Sequence, residues 1–580
     1  MITGFVLVVI SWLFFLAGVV LLGYPLAYLL NLKKHAWVTL RSSLWLGSLI
    51  AIIAILTIGI FTPLRSATAL IAFAILFALG AFTTIYLLRS NHHGRNFPSQ
   101  INMTVWFLIG ALGVALAYLA LAALGPVTNY DSGLYHLGAI KYAGDYATIP
   151  GLANLYFPFG YNTSLYPVGA FLGNGPWNGN GFRLANGFLI FLFVLDLALR
   201  VTQKSRHNRK LSTGTYFLLV ATPLTLVPLV SLSDYWVTSP SSDAAVLAIT
   251  LISVAYLLDA LTKKASALAN ASVSFTSAVI AFSLRPTMVV FLLVLSLVLL
   301  YRLIRLNPGE KIYLIIPASL GIGLLTVQSA RDYLLSGWLQ YPLSLFSFPV
   351  PWLAVDPSGN RAATIGNARN PADIWGSVEG FSWFVPYLSR LPSQWETYFV
   401  AALAALVITL LVLNTRMGKP LRWRTILLAQ LPIVTGIFTW FFFSPPTFRF
   451  GWGVVFSFFF VLTAFPLKTL FENKEHPVGK FFYPAMTLML VILVGFNLTT
   501  RFQADTVTNS NTWSVGPLSI DYKLSPITPM PILEQELGSG LVVSSPTESD
   551  QCWDNYPLCT PSVIPSLTFR GPGLQNGLLP

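Results

Sequence analysis

Few residues of this 580-residue chain could do chemistry, and one group of them stands together: Tyr130-Asp131-Ser132-Gly133-Leu134-Tyr135-His136. It follows directly on an apolar run, 104–125, so a carboxylate, two phenols and an imidazole sit at the mouth of a hydrophobic segment. A carboxylate in that position is partly withdrawn from water and can serve as a general base. The same residues also make a helix start, because Asp ahead of a helical pattern supplies an oxygen for the orphan N–H groups of a first turn. Both readings stand at this stage. His136 has two roles open to it, a catalytic or ligand-binding imidazole or an ordinary hydrogen-bonding neighbour.

A second acid opens another apolar run in Ser239-Pro240-Ser241-Ser242-Asp243. Asp243 is either a further cap or an auxiliary acid facing the same space as Asp131, set for a metal or a sugar hydroxyl. Three arginines lie at equivalent places: Arg285 in the turn Arg285-Pro286, Arg331 after the run 312–329, and Arg449 in Ser444-Pro445-Pro446-Thr447-Phe448-Arg449-Phe450. Guanidinium groups converging near such a carboxylate would clamp a phosphate through paired hydrogen bonds. Each could instead reach out to lipid phosphates. With Tyr135, these arginines are the candidates for binding a phosphate-bearing donor. The motifs G-x-x-x-x-G-K-[ST], H-E-x-x-H and G-x-S-x-G are absent, so ATP hydrolysis, zinc proteolysis and serine-triad hydrolysis have no support.

The elements that must position these residues are membrane helices. The chain is 55% hydrophobic and only 9% charged, with a mean hydropathy of +0.69, where soluble domains carry about 25% charged residues. Runs long enough to cross ~30 Å of hydrocarbon recur throughout. Fourteen spans are expected, near 3–30, 43–62, 66–88, 104–125, 182–200, 213–232, 243–261, 266–284, 287–304, 312–329, 397–414, 425–443, 452–470 and 481–499. Assigning alternate connections to one side gathers 22 of the 34 basic residues there with five of the 21 acids. Basic excess in short loops marks the cytoplasm. The net charge of +13 is therefore a signature of topology and not of nucleic-acid binding. Both termini are expected outside the cytoplasm, and His136 is the only one of six histidines on that face.

The expected architecture is an all-α polytopic membrane domain, 1–499, with outer loops 126–181 and 330–396, followed by a small extracytoplasmic domain, 500–580. Residues 132–146 read as a short interfacial helix, with Leu134, Leu137, Ile140 and Ala143 on one side. The only two cysteines, Cys552 and Cys559, lie in the tail on the oxidising side, where the turn-rich C-W-D-N-Y-P-L-C favours a bridge over two unpaired thiols.

On these residues the chain resembles the GT-C superfamily of membrane glycosyltransferases, whose first large outer loop carries an essential acid and an interfacial helix. More narrowly, it is similar to a bacterial family of multi-span proteins of unassigned activity. That likeness rests on Y-D-x-x-L-Y-H, on P-G-L-x-N-L (Pro150 to Leu155), on S-G-x-x-x-Y-P (Ser336 to Pro342) and on Q-C-W-D…P-x-C-T-P (Gln551 to Pro561). The resemblance implies a bacterial plasma-membrane enzyme that takes a sugar from a polyprenyl-phosphate donor to a glycan, lipid or protein acceptor. Asp131 would be the base, Asp243 an auxiliary acid, and Arg331 and Arg449 the phosphate ligands. Many superfamily members pair acids in this loop; Asp131 has no acidic neighbour, so Mg2+ or Mn2+ would be held weakly and Asp131 would act alone. Two other functions stay open, a flippase of lipid-linked saccharides and a non-catalytic envelope-assembly protein. Transporters place charged sites at mid-membrane and carry repeats, and neither is found here.

Overall fold

Among the described residues, eleven helices are long and apolar enough to cross a membrane. The structure, a computed structural model, describes residues 2–31, 36–90, 103–207, 211–226, 235–263, 266–304, 308–355, 357–418, 421–472, 509–515, 518–527 and 530–580, with a few positions between 488 and 495. Helices α1 (Ile2–Leu30), α2 (Ala36–Phe61), α3 (Ala67–Ser90) and α4 (Met103–Ala122) lead into the first large loop. That loop holds a π-helical turn, Ser132–His136, then α5 (Leu137–Asp145) and α6 (Leu165–Leu172). Next come α7 (Phe182–His207), α8 (Thr213–Leu226), α9 (Tyr235–Thr238), α10 (Asp243–Thr262), α11 (Ala267–Leu284), α12 (Val289–Leu303), α13 (Pro308–Lys311) and α14 (Ile315–Ser336). The second loop carries a hairpin, β1 (Trp338–Gln340) and β2 (Leu345–Ser347), with α15 (Ser358–Arg369) and α16 (Phe384–Arg390). The bundle closes with α17 (Trp395–Arg416), α18 (Trp423–Phe443) and α19 (Phe448–Glu472).

Eleven of the fourteen expected spans are such helices. Of the rest, 104–125 is α4, whose apolar stretch is the shorter Ile109–Ala122, and 213–232 is α8 as far as Leu226. The remainder of that run, and nearly all of 481–499, lie outside the described residues. The close pair 266–284 and 287–304 is two separate helices, α11 and α12, joined through Arg285.

Helices α10 and α11 have no polar face and form the centre, with 94% of an 18-residue apolar stretch of each buried. A helix without a polar face has to be surrounded by others. At the crossing of α1 and α2 a Cβ on Gly23 would fall 2.1 Å from the Ser43 carbonyl oxygen, so only a hydrogen side chain allows this approach. Small residues at such crossings let membrane helices pack closely.

The helices alternate in direction, which gives the bundle two ends. At one, Arg200 of α7 is bonded to Asp196 and to Asp259 of α10 (2.7 Å), all three fully buried. Trp45 of α2 and Tyr256 donate to Asp196 at 2.9 and 2.7 Å, and the Gly214 amide of α8 donates to Asp259 at 3.1 Å. Four helices are thus tied to one charge network.

At the other end lie the two large loops and the tail, and the tail is built of strands. The tail consists of antiparallel hairpins: β3 (Asn509–Val515) with β4 (Leu518–Leu524), β5 (Ile532–Glu536) with β6 (Val542–Pro546), and β7 (Thr568–Phe569) with β8 (Leu578–Leu579). It is hydrogen-bonded to the first loop and to the bundle. The Ser525 amide donates to the Leu124 carbonyl (2.9 Å), buried Arg183 donates to the Ser525 carbonyl (2.8 Å), and the Leu578 amide donates to the Pro150 carbonyl (2.9 Å). The Cys552–Cys559 disulfide is formed.

Candidate functional site

Tyr130 and Asp131 begin a helix that opens into the π-turn, where the Leu137 amide bonds back to the Ser132 carbonyl. That five-residue step rotates the side chains that follow it, and such turns often mark functional sites. The carboxylate of Asp131 makes no capping hydrogen bond. Its Oδ2 instead accepts from Arg449 Nη2 at 3.1 Å, with the two side chains 25% and 34% exposed. The helix-start reading therefore does not describe what this carboxylate does.

A second pair lies beside the first. Asp243 opens α10, and one of its oxygens accepts from Arg285 while the other accepts from Ser241 Oγ at 2.8 Å. Asp243 is buried, so it does not face the open space as a free auxiliary acid. Arg285 is fully committed too, reaching Ser242 Oγ (3.4 Å) and the Phe450 carbonyl (3.3 Å). Both guanidinium groups, of Arg285 and Arg449, lie 4.7 Å from the centre of the Phe450 ring. Cations are attracted to that face, which lets two like charges sit near one another.

His136 is buried between aromatic rings, 4.5 Å from Tyr135 and 5.5 Å from Tyr166 between ring centres. Its Nδ1 is 3.4 Å from Ser132 Oγ, which in turn bonds Ser239 Oγ at 2.8 Å. Burial pushes the imidazole down to about 4, against the opposing pull of Asp131 and Asp243. It is neutral at pH 7 and held in a hydrogen-bond chain with Ser132 and Ser239.

Tyrosines enclose Asp131. Tyr135 packs edge-on against Tyr161 at 5.7 Å, and Tyr166 lies behind His136. Burial, with the Asp131 charge adding to it, raises the phenols of Tyr135, Tyr161 and Tyr166. Tyr130 donates to Asp550, and that bond pushes its phenol up to about 12. All four stay protonated donors around one carboxylate.

The tail completes the site. The Trp553 amide donates to the Gly133 carbonyl at 2.8 Å, and Gln551 Nε2 donates to the Tyr130 carbonyl at 2.7 Å. The Leu558 amide donates to the Tyr142 hydroxyl at 3.0 Å, and Lys141 pairs with Asp554. The loop closed by the disulfide is therefore a strap across the π-turn and α5.

Of the expected site residues, Asp131, Tyr135, His136, Asp243, Arg285 and Arg449 come together. Arg331 does not join them: it is buried at the end of α14, donating to Asn162 Oδ1 (3.2 Å) and Thr148 Oγ1 (2.9 Å). Ser132, Tyr166, Phe450 and the strap residues Asp550, Gln551 and Trp553 were not anticipated as site residues. The Q-C-W-D stretch was the available signal for Gln551 and Trp553. Among the described residues no three His, Cys, Asp or Glu side chains converge as a metal site would require.

A bundle of long apolar helices carrying a charge-balanced polar cluster at one end defines a helical membrane protein. The chain belongs to the family of the domain of unknown function DUF8201, whose family model matches residues 5–456. That span contains Asp131, Asp243, Arg285 and Arg449, and the strap lies beyond it. No curated protein and no solved structure matches the chain.

Proposed function

We propose that this protein is a polytopic glycosyltransferase of the GT-C type, with fourteen crossings of a bacterial plasma membrane and the Asp131 end outside the cytoplasm. One observation carries the reading: Asp131 caps no helix and meets Arg449 in a pair that solvent can reach. A pair exposed to that degree is worth on the order of 1 kcal/mol. The phosphate of a polyprenyl-phosphate sugar can therefore take Arg449 at little cost, since guanidinium binds phosphate bidentately. Asp131 is then released beside the sugar. Its carboxylate takes the proton of an acceptor hydroxyl, and the acceptor oxygen forms a bond to C1. The C1–O bond to phosphate breaks, and polyprenyl phosphate leaves with the electron pair. Asp243 and Arg285 hold Phe450 and, through it, Arg449. The protonated tyrosines offer hydrogen bonds to sugar hydroxyls.

The test is transfer by purified protein from a labelled polyprenyl-phosphate sugar, wild type against Asp131→Asn. Loss of a general base costs about 10²–10⁴-fold in rate. Undiminished transfer by a folded Asp131→Asn protein would remove Asp131 from the mechanism.

A further inference from the structure

A cleft of about 450 Å³ opens between α5, the start of α7 and the tail, and shares no lining residue with the Asp131 cluster. Its size falls within the ~300–1,000 Å³ of small-molecule sites. Two ion pairs line it, Arg65 with Asp145 (Nε to Oδ1 3.1 Å) and Lys141 with Asp554. Two cations and two carboxylates cancel, so the cleft offers no net attraction to a phosphate or other anion. What it offers instead are neutral polar groups. The amide side chains of Asn178 and Asn180 line it and make no hydrogen bond among the described residues. Asn178 is held in the left-handed region at φ 40° and exposed. The hydroxyl of Tyr556, on the strap, is buried without a partner, and its ring forms one wall.

Amides that donate and accept, with carboxylates that accept, set against an aromatic face and without net charge, match an uncharged polyhydroxylated ligand. We infer that this cleft is a binding site for a neutral saccharide, distinct from the Asp131 site and independent of the glycosyl-transfer reading. The sugar hydroxyls satisfy the amides of Asn178 and Asn180, and the sugar ring lies against the Tyr556 ring. Because the strap supplies Tyr556 and Asp554, the same tail that braces the Asp131 helix also builds the saccharide site.

Saturation-transfer NMR on full-length protein in detergent tests this, with maltose, lactose, cellobiose and chitobiose as probes and inorganic phosphate as competitor. At least one disaccharide should bind, and phosphate should not displace it. Asn178→Ala with Asn180→Ala should weaken that binding about tenfold, a change of ~1.4 kcal/mol. Tyr556→Leu, which removes the aromatic wall, should weaken it severalfold in protein that keeps the wild-type melting temperature, and so serves if the double variant fails to fold. Asp131→Asn should bind the disaccharide as wild type does even where transfer is lost. The inference is overturned if none of the four binds, if phosphate displaces the bound sugar, or if folded Asn and Tyr556 variants bind undiminished.

Discussion

Gly133→Ala should unseat the strap from the π-turn. A Cβ on Gly133 would lie 2.4 to 2.7 Å from three atoms of the Trp553 indole. The ring cannot simply step back. The backbone of Trp553 is bonded to the Gly133 carbonyl at 2.8 Å, and Gln551, two residues earlier, is bonded to the Tyr130 carbonyl at 2.7 Å. Overpacking of this kind costs about 1–3 kcal/mol, and a lost hydrogen bond adds about 1 kcal/mol. The local opening free energy should therefore fall by about 2–4 kcal/mol, or roughly 30- to 700-fold in the opening equilibrium. The Trp553 amide is itself the donor to Gly133, so its hydrogen-exchange protection, followed by mass spectrometry, reads the effect directly. Gly110→Ala and Gly113→Ala, where no atom lies within 4 Å of the added carbon, are the controls and should leave Trp553 unchanged. If Gly133→Ala protects the Trp553 amide as well as wild type does, the strap does not hold the π-turn.

At the opposite end, Arg200→Met should lower stability by about 3–5 kcal/mol, because it strands two buried carboxylates, and thermal unfolding in detergent measures it. His136 sets an acid limit. Its folded pKa of about 4 lies below the ordinary 6.5, so the folded protein binds the proton less well than the unfolded chain. The stabilisation of the neutral form is complete above pH 6.5 and is lost as pH falls from 6.5 toward 4, to a total of about 3 kcal/mol. Wild type should thus lose melting temperature across that window, and His136→Gln should lose less; parallel curves would contradict the burial argument. Cys552→Ser with Cys559→Ser opens a loop of sequence separation 7 and should cost up to about 2.5 kcal/mol. Proteolysis should then begin in the strap, and unchanged cleavage would mean that the bridge does not brace it.

Membrane segments and their alternation were legible because hydropathy and loop charge are one-dimensional signals. Arg41, Arg200, Arg302 and Lys468, assigned to one side by charge alone, do gather at one end. Arg41 bonds to Gln203, Arg302 to the Ala260 carbonyl, and Lys468 approaches Thr213 at 3.4 Å. The site was legible to the same depth: the sequence could place Asp131, Asp243 and three arginines at one end of their helices. It could not give the direction in which each faces around its helix axis. Arg331 is one such case, turned toward Asn162 and Thr148 because its own α14 packs there. The π-turn was hidden for a related reason, since Ser132 to His136 carries an ordinary helical pattern and the widened step is imposed by the packing on either side. The strap was invisible because its contacts to residues 130–142 join positions more than 400 residues apart.

Two charge clusters, one at each end of the bundle, show which of them can work on a ligand. Around Arg200 the side chains are 0–2% exposed and tied to four helices, so any exchange of partners there leaves a buried charge unpaired. That cluster is bound to be structural, since removing one member of such a pair costs several kcal/mol. At the Asp131 end the same residue types are divided between two pairs. Asp243 is buried and Arg285, 11% exposed, is held against it, whereas Asp131 and Arg449 remain a quarter to a third exposed. The fixed pair and the Phe450 ring locate Arg449, and the strap locates the helix of Asp131. The pair between them is the one weak bond in a braced frame. A ligand phosphate that competes for Arg449 meets a site already in place and has only that bond to break. The partner it displaces is the carboxylate that the proposed transfer needs.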